Sequence, residues 1–255
     1  MSISNLQQRI RSCKTPVALG LRADESALSH ALLNQFTELH GEGTCAVIEA
    51  LRYQGCRVLE RAAGLLPAVY LDVMSYLRYG VLGMEVLINL CDNAHNLGYY
   101  VIADCRTDTP EGWFDVLPEA DAITVMPYVG GDCCAVGEDK AAFAVLRTAN
   151  ASAGEVQNLM SGDRRLYQAV GEQMARRGAG AVIETGYSLD IRELRRRLEK
   201  TFMLLTHCDG EAASYAFDEY GHGALVVDST IQYASDKTAA VTAAIRGMKQ
   251  WVTVL

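Results

Sequence analysis

Eight short apolar runs recur along the 255-residue chain, none longer than seven residues, and they leave little choice of fold. They are Pro16–Arg22, Ala68–Val73, Tyr100–Arg106, Ala122–Tyr128, Ala142–Thr148, Ala181–Thr185, Met203–His207 and Ala224–Ser229. Within each run hydrophobicity is nearly continuous rather than alternating, and polar residues follow. Strands covered on both faces need that pattern, and parallel sheets are covered on both faces.

Helical patterns lie between the runs. Val81–Leu97 puts Leu82, Val86, Leu90 and Ala94 on one stripe, and Glu155–Arg177 does the same with Leu159, Leu166, Val170 and Met174. Leu189–Leu198 and Lys237–Trp251 complete the set, and residues 27–64 hold at least two more helices. Gly98, Gly178, and Gly221 or Gly223 stand where helices should stop. Eight strand–helix units in about 250 residues are the arithmetic of a (β/α)8 TIM barrel. An open doubly wound sheet is the competitor, but the first strand leads into Gly20-Leu-Arg-Ala-Asp24, which is no phosphate cradle. No linker or low-complexity stretch divides the chain, so residues 1–255 are expected to form a single barrel domain.

Charge and cysteine content narrow the function classes. Lys+Arg 23 against Asp+Glu 31 gives −8, a poor balance for binding nucleic acid or an anionic membrane. The one basic cluster, Arg192 with Arg195, Arg196 and Arg197, is interleaved with Asp190, Glu193 and Glu199 and reads as a solvated helix face. The opening MSISNLQQRI is polar, unlike a secretory leader, which points to a reducing cytoplasm and free thiols. No C-x-x-C pair is present among the eight cysteines, so neither a metal site nor any other cofactor is expected from them.

In a (β/α)8 barrel the active site lies at the carboxyl ends of the strands. Those ends carry Arg22, Asp72, Asp104, Arg106, Asp108, Tyr128, Arg147, Asn150, Glu184, Thr185, His207, Asp209 and the stretch Asp228-Ser229-Thr230. Asp104-Cys-Arg-Thr-Asp108 is the densest chemistry. Asp104 and Arg106 alternate along the strand, so both side chains can face the mouth. The bland reading is an ion pair that fixes the loop.

From Ala68 to Ala234 the order of motifs resembles orotidine 5'-phosphate decarboxylase, in the branch typical of many bacteria. The resemblance rests on Val101-Ile-Ala-Asp-Cys-Arg106, Asp121-Ala-Ile-Thr-Val-Met-Pro-Tyr-Val-Gly130 and Leu146-Arg-Thr-Ala-Asn150. Gln157 and the tail Ile231-Gln-Tyr-Ala234 also fit, as does Gly20-Leu21 at the first strand. The first 65 residues fit poorly. The resemblance implies a (β/α)8 barrel of pyrimidine biosynthesis, a nucleotide or other small-molecule ligand at the strand C-terminal face, and a homodimer.

The family's catalytic array is Lys-Asp-Lys-Asp, one lysine on the second strand and then D-x-K-x-x-D after the third. Here Tyr70 takes the place of the first Lys, Asp104 matches the first Asp, Arg106 replaces the second Lys, and Asp108 falls one residue early. Arginine does not readily release a proton, so the general acid is lost at that position. The ribose-holding Asp of the first strand is Arg22, and Ala149 replaces the pyrimidine-reading Ser beside Asn150. The glycine-rich phosphate loop becomes Thr206-His-Cys-Asp-Gly-Glu-Ala-Ala213, and the phosphate Arg becomes Ser229, followed by Thr230. Only Gln157 persists on the phosphate side. The expected function is therefore a barrel of this family with lost or strongly reduced decarboxylase activity. Two alternatives stand: an active decarboxylase with an unusual site, and a metal-dependent lyase on the same scaffold, for which His207 and Asp209 would be candidate ligands.

Overall fold

The computed structural model describes residues 2–255. Its eight barrel strands are β1 (Val17–Leu21), β2 (Ala68–Leu71), β3 (Tyr100–Thr107), β4 (Ala122–Val125), β5 (Ala141–Arg147), β6 (Gly180–Glu184), β7 (Met203–Thr206) and β8 (Ala224–Asp228). All pair in parallel with their sequence neighbours, and β8 closes on β1 through Val17↔Val226 and Ala18↔Val227. Every apolar run of the sequence is one of these strands. The expected (β/α)8 barrel is the observed fold.

Eleven helices surround or close the barrel. In chain order they are α1 (Ser2–Cys13), α2 (His30–His40), α3 (Thr44–Ala62), α4 (Val73–Leu77), α5 (Gly80–Asn96), α6 (Pro110–Val116), α7 (Ala153–Gln157), α8 (Leu166–Arg176), α9 (Ser188–Arg197), α10 (Gly210–Ser214) and α11 (Lys237–Lys249). Two apolar clusters hold them. The outer one lies between strands and helices and includes Leu59, Leu87, Val101, Tyr167, Leu194 and Met203. The inner one fills the barrel with Tyr100, Ile102, Phe143, Val182, Leu204 and Leu225, on alternate positions of their strands.

Helix α1 was not anticipated, because its stretch is polar apart from Ile3, Leu6 and Ile10. Those three recur at helical spacing, and Leu6 and Ile10 are fully buried in the inner cluster. Ser2 donates to the Asp121 carbonyl (3.1 Å) and Gln7 accepts from the Gly223 amide (3.1 Å), both just before strands. The helix thus seals the N-terminal end of the barrel. Leu6→Ala is expected to cost about 2–5 kcal/mol, the range for truncating a fully buried leucine, read from urea unfolding. A loss under about 1 kcal/mol would show that the helix is not a plug.

One helix of the sequence reading is corrected. Residues 155–177 are not continuous, since α7 ends at Gln157 and a two-residue antiparallel ribbon, Met160–Ser161 against Arg164–Arg165, precedes α8. Gly162 turns the ribbon at φ +69, and Leu159, counted on the apolar stripe, is 57% exposed. Gly98 and Gly178 do follow helices with positive φ. Gly221 and Gly223 shape the approach to β8 instead, some residues after α10 has ended.

All eight cysteines are free thiols. Cys91, Cys105, Cys133 and Cys134 are buried, and burial pushes Cys91 and Cys134 up to about 12. Only Cys45 is exposed. A thiol-reactive chromophore at pH 8 should therefore label Cys45 fast and those four only on unfolding, and fast labelling of any of the four would contradict the packing.

Candidate active site

The C-terminal ends of the strands surround a cavity of about 150 Å³. Tyr70, Asp104, Arg106, Arg22 and Ser229, five of the nine positions matched to the family's site, line it together with Asp72, Glu184 and His207, also read from sequence as strand-end residues. The volume is half the lower end of the range usual for small-molecule sites, about 300–1,000 Å³.

Arg106 fills the mouth. It sits at a bulge, since pairing between β3 and β4 shifts register from Ala103↔Ile123 to Thr107↔Val125. There it adopts φ +47, a left-handed conformation unfavourable for a residue with a Cβ. Thr124 Oγ1 accepts the Arg106 amide (2.9 Å) and donates to Asp104 Oδ1 (2.6 Å), so the bulge leaves that amide satisfied. From this position the guanidinium donates to Asp104 Oδ2 (3.2 Å) and crosses to Glu184 on the far wall. Both carboxylates are buried, with side chains 6% exposed. Burial works against the arginine's charge, but Asp104 and Glu184 outweigh it and hold the guanidinium above its ordinary value. Alternation along β3 correctly placed Asp104 and Arg106 on one side. Glu184 and Thr124 as their partners were not read from sequence, because only barrel closure brings β6 opposite β3.

Tyr70 lies beneath this triad. Its hydroxyl is buried without a hydrogen-bond partner, and burial followed by the Asp104 charge pushes its ionisation well above the usual phenol range. Asp72 caps α4 by accepting from the Ser75 amide (3.2 Å). Burial raises its pKa, and Arg22 at 3.9 Å offsets that only weakly.

The other four candidates are spent elsewhere. Asp108 is exposed on the loop after β3 and does not line the cavity. Asn150 is also exposed, accepting from Thr148 Oγ1 (2.6 Å) and donating to Ser152 Oγ (3.1 Å). Gln157 is buried and binds Arg147 (3.0 Å) and Thr148 (3.2 and 2.7 Å), while Arg147 pairs with Asp190 (3.3 Å). Thr230 is held by Asp228, whose Oδ1 accepts both its amide (2.8 Å) and its hydroxyl (2.6 Å).

The loops after β7 and β8 repeat one device. Asp209 Oδ1 accepts the Ala212 amide (2.8 Å) at the start of α10, as Asp228 accepts the Thr230 amide. In each loop one backbone N–H group is taken by a carboxylate of the loop itself. His207 and Asp209 do not form a pair, because the imidazole Nδ1 faces Thr206 Oγ1 (2.9 Å). Among the described residues no three His, Cys, Asp or Glu side chains converge on a point a metal could occupy. No described helix is long and apolar enough to cross a membrane.

No family model matches the chain. Curated relatives do. An orotidine 5'-phosphate decarboxylase of Rhodopirellula baltica is 26% identical over 210 residues, 68% of this chain and 70% of that one. That of Halobacterium salinarum is 29% identical over 182 residues, 64% and 68% of the two chains. Among solved structures, an orotidine-monophosphate decarboxylase from Toxoplasma gondii superposes with TM-score 0.84 at 18% identity, over 97% of this chain and 94% of that one. The Leishmania donovani OMP decarboxylase gives 0.79 at 22%, over 98% and 97%. By sequence the chain is similar to orotidine 5'-phosphate decarboxylases, and solved structures of such enzymes share its fold. Coverage of 98% takes in the first 65 residues, where sequence resemblance was weakest, so α1 and the α2–α3 excursion lie within the structural match.

Proposed function

We propose that this orotidine 5'-phosphate decarboxylase-like barrel has lost, or retains only a small residue of, decarboxylase activity. One observation carries the reading: Arg106, at the position of the family's proton-delivering lysine, is locked between Asp104 and Glu184. A general acid must release a proton at the reacting carbon, and a guanidinium stabilised by two carboxylates does not. The resemblance would make Asp104 the carboxylate-crowding residue and Tyr70 the stand-in for the other lysine. Asp104 is instead neutralised by Arg106, and Tyr70 supplies no charge.

The substrate side supports the same reading. Arg22 and Ser229 line the mouth where the family has a ribose Asp and a phosphate Arg. Asn150 and Gln157 bind their own loop. The remaining volume of about 150 Å³ is small for a nucleotide. A small-molecule ligand of the mouth would have to be compact and lack a phosphate. The resemblance also carries a homodimer and a cytoplasmic setting. Met74 and Val81, exposed on the helices that follow β2, offer apolar surface to a second copy.

Complementation tests the reading. A strain without its own decarboxylase, expressing this chain, should not grow without uracil, and growth would overturn the proposal.

A further inference from the structure

Outside the barrel, the ribbon before α8 and the last turn of α9 border a cleft of about 450 Å³. Arg164 and Arg165 enter it from the ribbon, Arg196 and Arg197 from α9. In the sequence these pairs look unrelated, one inside a supposed helix and the other on a solvated helix face. The chain as a whole carries −8, yet here four guanidinium groups line one cleft with only two carboxylates, Asp163 and Glu193.

Neighbouring carboxylates do not exhaust this charge. Glu172 accepts from Arg164 (2.6 Å) and Arg197 (3.3 Å). Glu193 lines the cleft and accepts from the neutral Gln168 amide (2.9 Å), with no arginine paired to it among the described residues. Asp190 is committed to Arg147 (3.3 Å) and reaches Arg165 only at 3.8 Å. Asp163 is exposed at the ribbon tip. Arg196 is exposed, and among the described residues no carboxylate lies within 4 Å of its guanidinium. The Arg164 Nε–H is buried with no acceptor at all. The cleft is therefore lined by two guanidinium groups that no close carboxylate holds, Arg165 and Arg196, and by a third, Arg164, whose buried Nε–H has no acceptor.

We propose that this cleft binds the phosphate group of a small phosphorylated molecule. The planar fork of arginine matches phosphate oxygens two at a time, and a dianion can engage Arg164, Arg165 and Arg196 together. The volume lies within the usual range for small-molecule sites. Met160, 66% exposed at the rim, offers apolar contact to the organic part of an ester. None of these residues lines the mouth, so the site stands or falls independently of what the mouth does.

Calorimetry and thermal unfolding of the full chain test it, with inorganic phosphate, AMP and adenosine as probes and sodium chloride at matched ionic strength as reference. Phosphate and AMP should bind and raise the melting temperature, while adenosine and chloride do not. AMP binding tighter than phosphate assigns the site to an ester, and equal affinities assign it to the free ion. The double variant R165Q/R196Q should bind at least about tenfold more weakly, since one charge-assisted hydrogen bond of about 1.4 kcal/mol is already tenfold. Without ligand it should melt no lower than the parent, because two like charges are gone. Should the double variant fail to fold, R196Q alone, which removes no protein contact, must still weaken binding. A phosphate response matched by chloride, undiminished binding in R196Q, or loss of binding in the mouth variant R22Q would each overturn the proposal.

Discussion

Incubated with orotidine 5'-phosphate, the protein is expected to form UMP at least about 10⁴-fold more slowly than a family member with the Lys-Asp-Lys-Asp array intact. A positioned general acid alone contributes about 10²–10⁴ in rate. Preorganised charge at the reacting carbon contributes several kcal/mol more, each 1.36 kcal/mol being tenfold. Binding energy from a remote phosphate normally strains and orients the reacting centre, and here Asp209 and Asp228 put carboxylates into the loops after β7 and β8, each holding one loop amide. These losses need not add, because residues acting as one unit are non-additive, but all have the same sign. Arg106→Lys should not restore turnover. It returns a titratable amine to the mouth but leaves Tyr70, Ser229 and the capped loops as they are. An assay of UMP formation on folded protein decides the matter, and turnover near the family norm would sink the reading.

The second large effect concerns stability. Arg106→Met should lower it by about 3–5 kcal/mol, the usual result of removing one partner from a buried ion pair. For a domain of this size that is a fall in melting temperature of about 6–20 °C. The deficit comes from Asp104 and Glu184, left as two buried carboxylates without a counter-charge. It should shrink between pH 8 and pH 5, because a proton taken up by one carboxylate of the folded variant removes the uncompensated charge. Adding Asp104→Asn and Glu184→Gln to Arg106→Met should recover most of the loss, since neither position then carries a charge and an amide at position 104 can still accept from Thr124. A single Arg106→Met variant as stable as the parent at pH 8 would mean that the triad does not hold the mouth together.

Much of the fold could be read from the chain because parallel strands write their burial locally. A strand covered on both faces needs apolar residues at consecutive positions, so Ala68–Leu71 or Met203–Thr206 stands out with no knowledge of its neighbours. Helix α1 was missed for the converse reason, since its three apolar side chains are scattered through a polar stretch. The stripe from Leu159 to Met174 misled because apolar spacing can persist across a turn, and Gly162-Asp163 was the available warning. At the mouth, neighbours on one strand were legible, as Asp104 and Arg106 show. Partners from separate strands were not, which is why Glu184 and Thr124 emerged only in three dimensions. The roles of Gln157 and Arg147 were hidden likewise, because the hydrogen bond between them and that from Gln157 to Thr148 depend on how the loop after β5 folds back.

The plug formed by α1 sets an order of events during synthesis. This helix is made before any of the barrel strands, yet Gln7 bonds to the amide of Gly223 and Arg11 reaches His222, residues made more than 200 positions later. At roughly 5–20 residues per second those partners follow after about 10–40 s. Throughout that interval Leu6 and Ile10 have no barrel interior to enter. The helix is thus an apolar handle, present before the barrel strands are made and withdrawn when β8 closes on β1. A chaperone that grips apolar segments would hold it during that interval, and release would coincide with barrel closure.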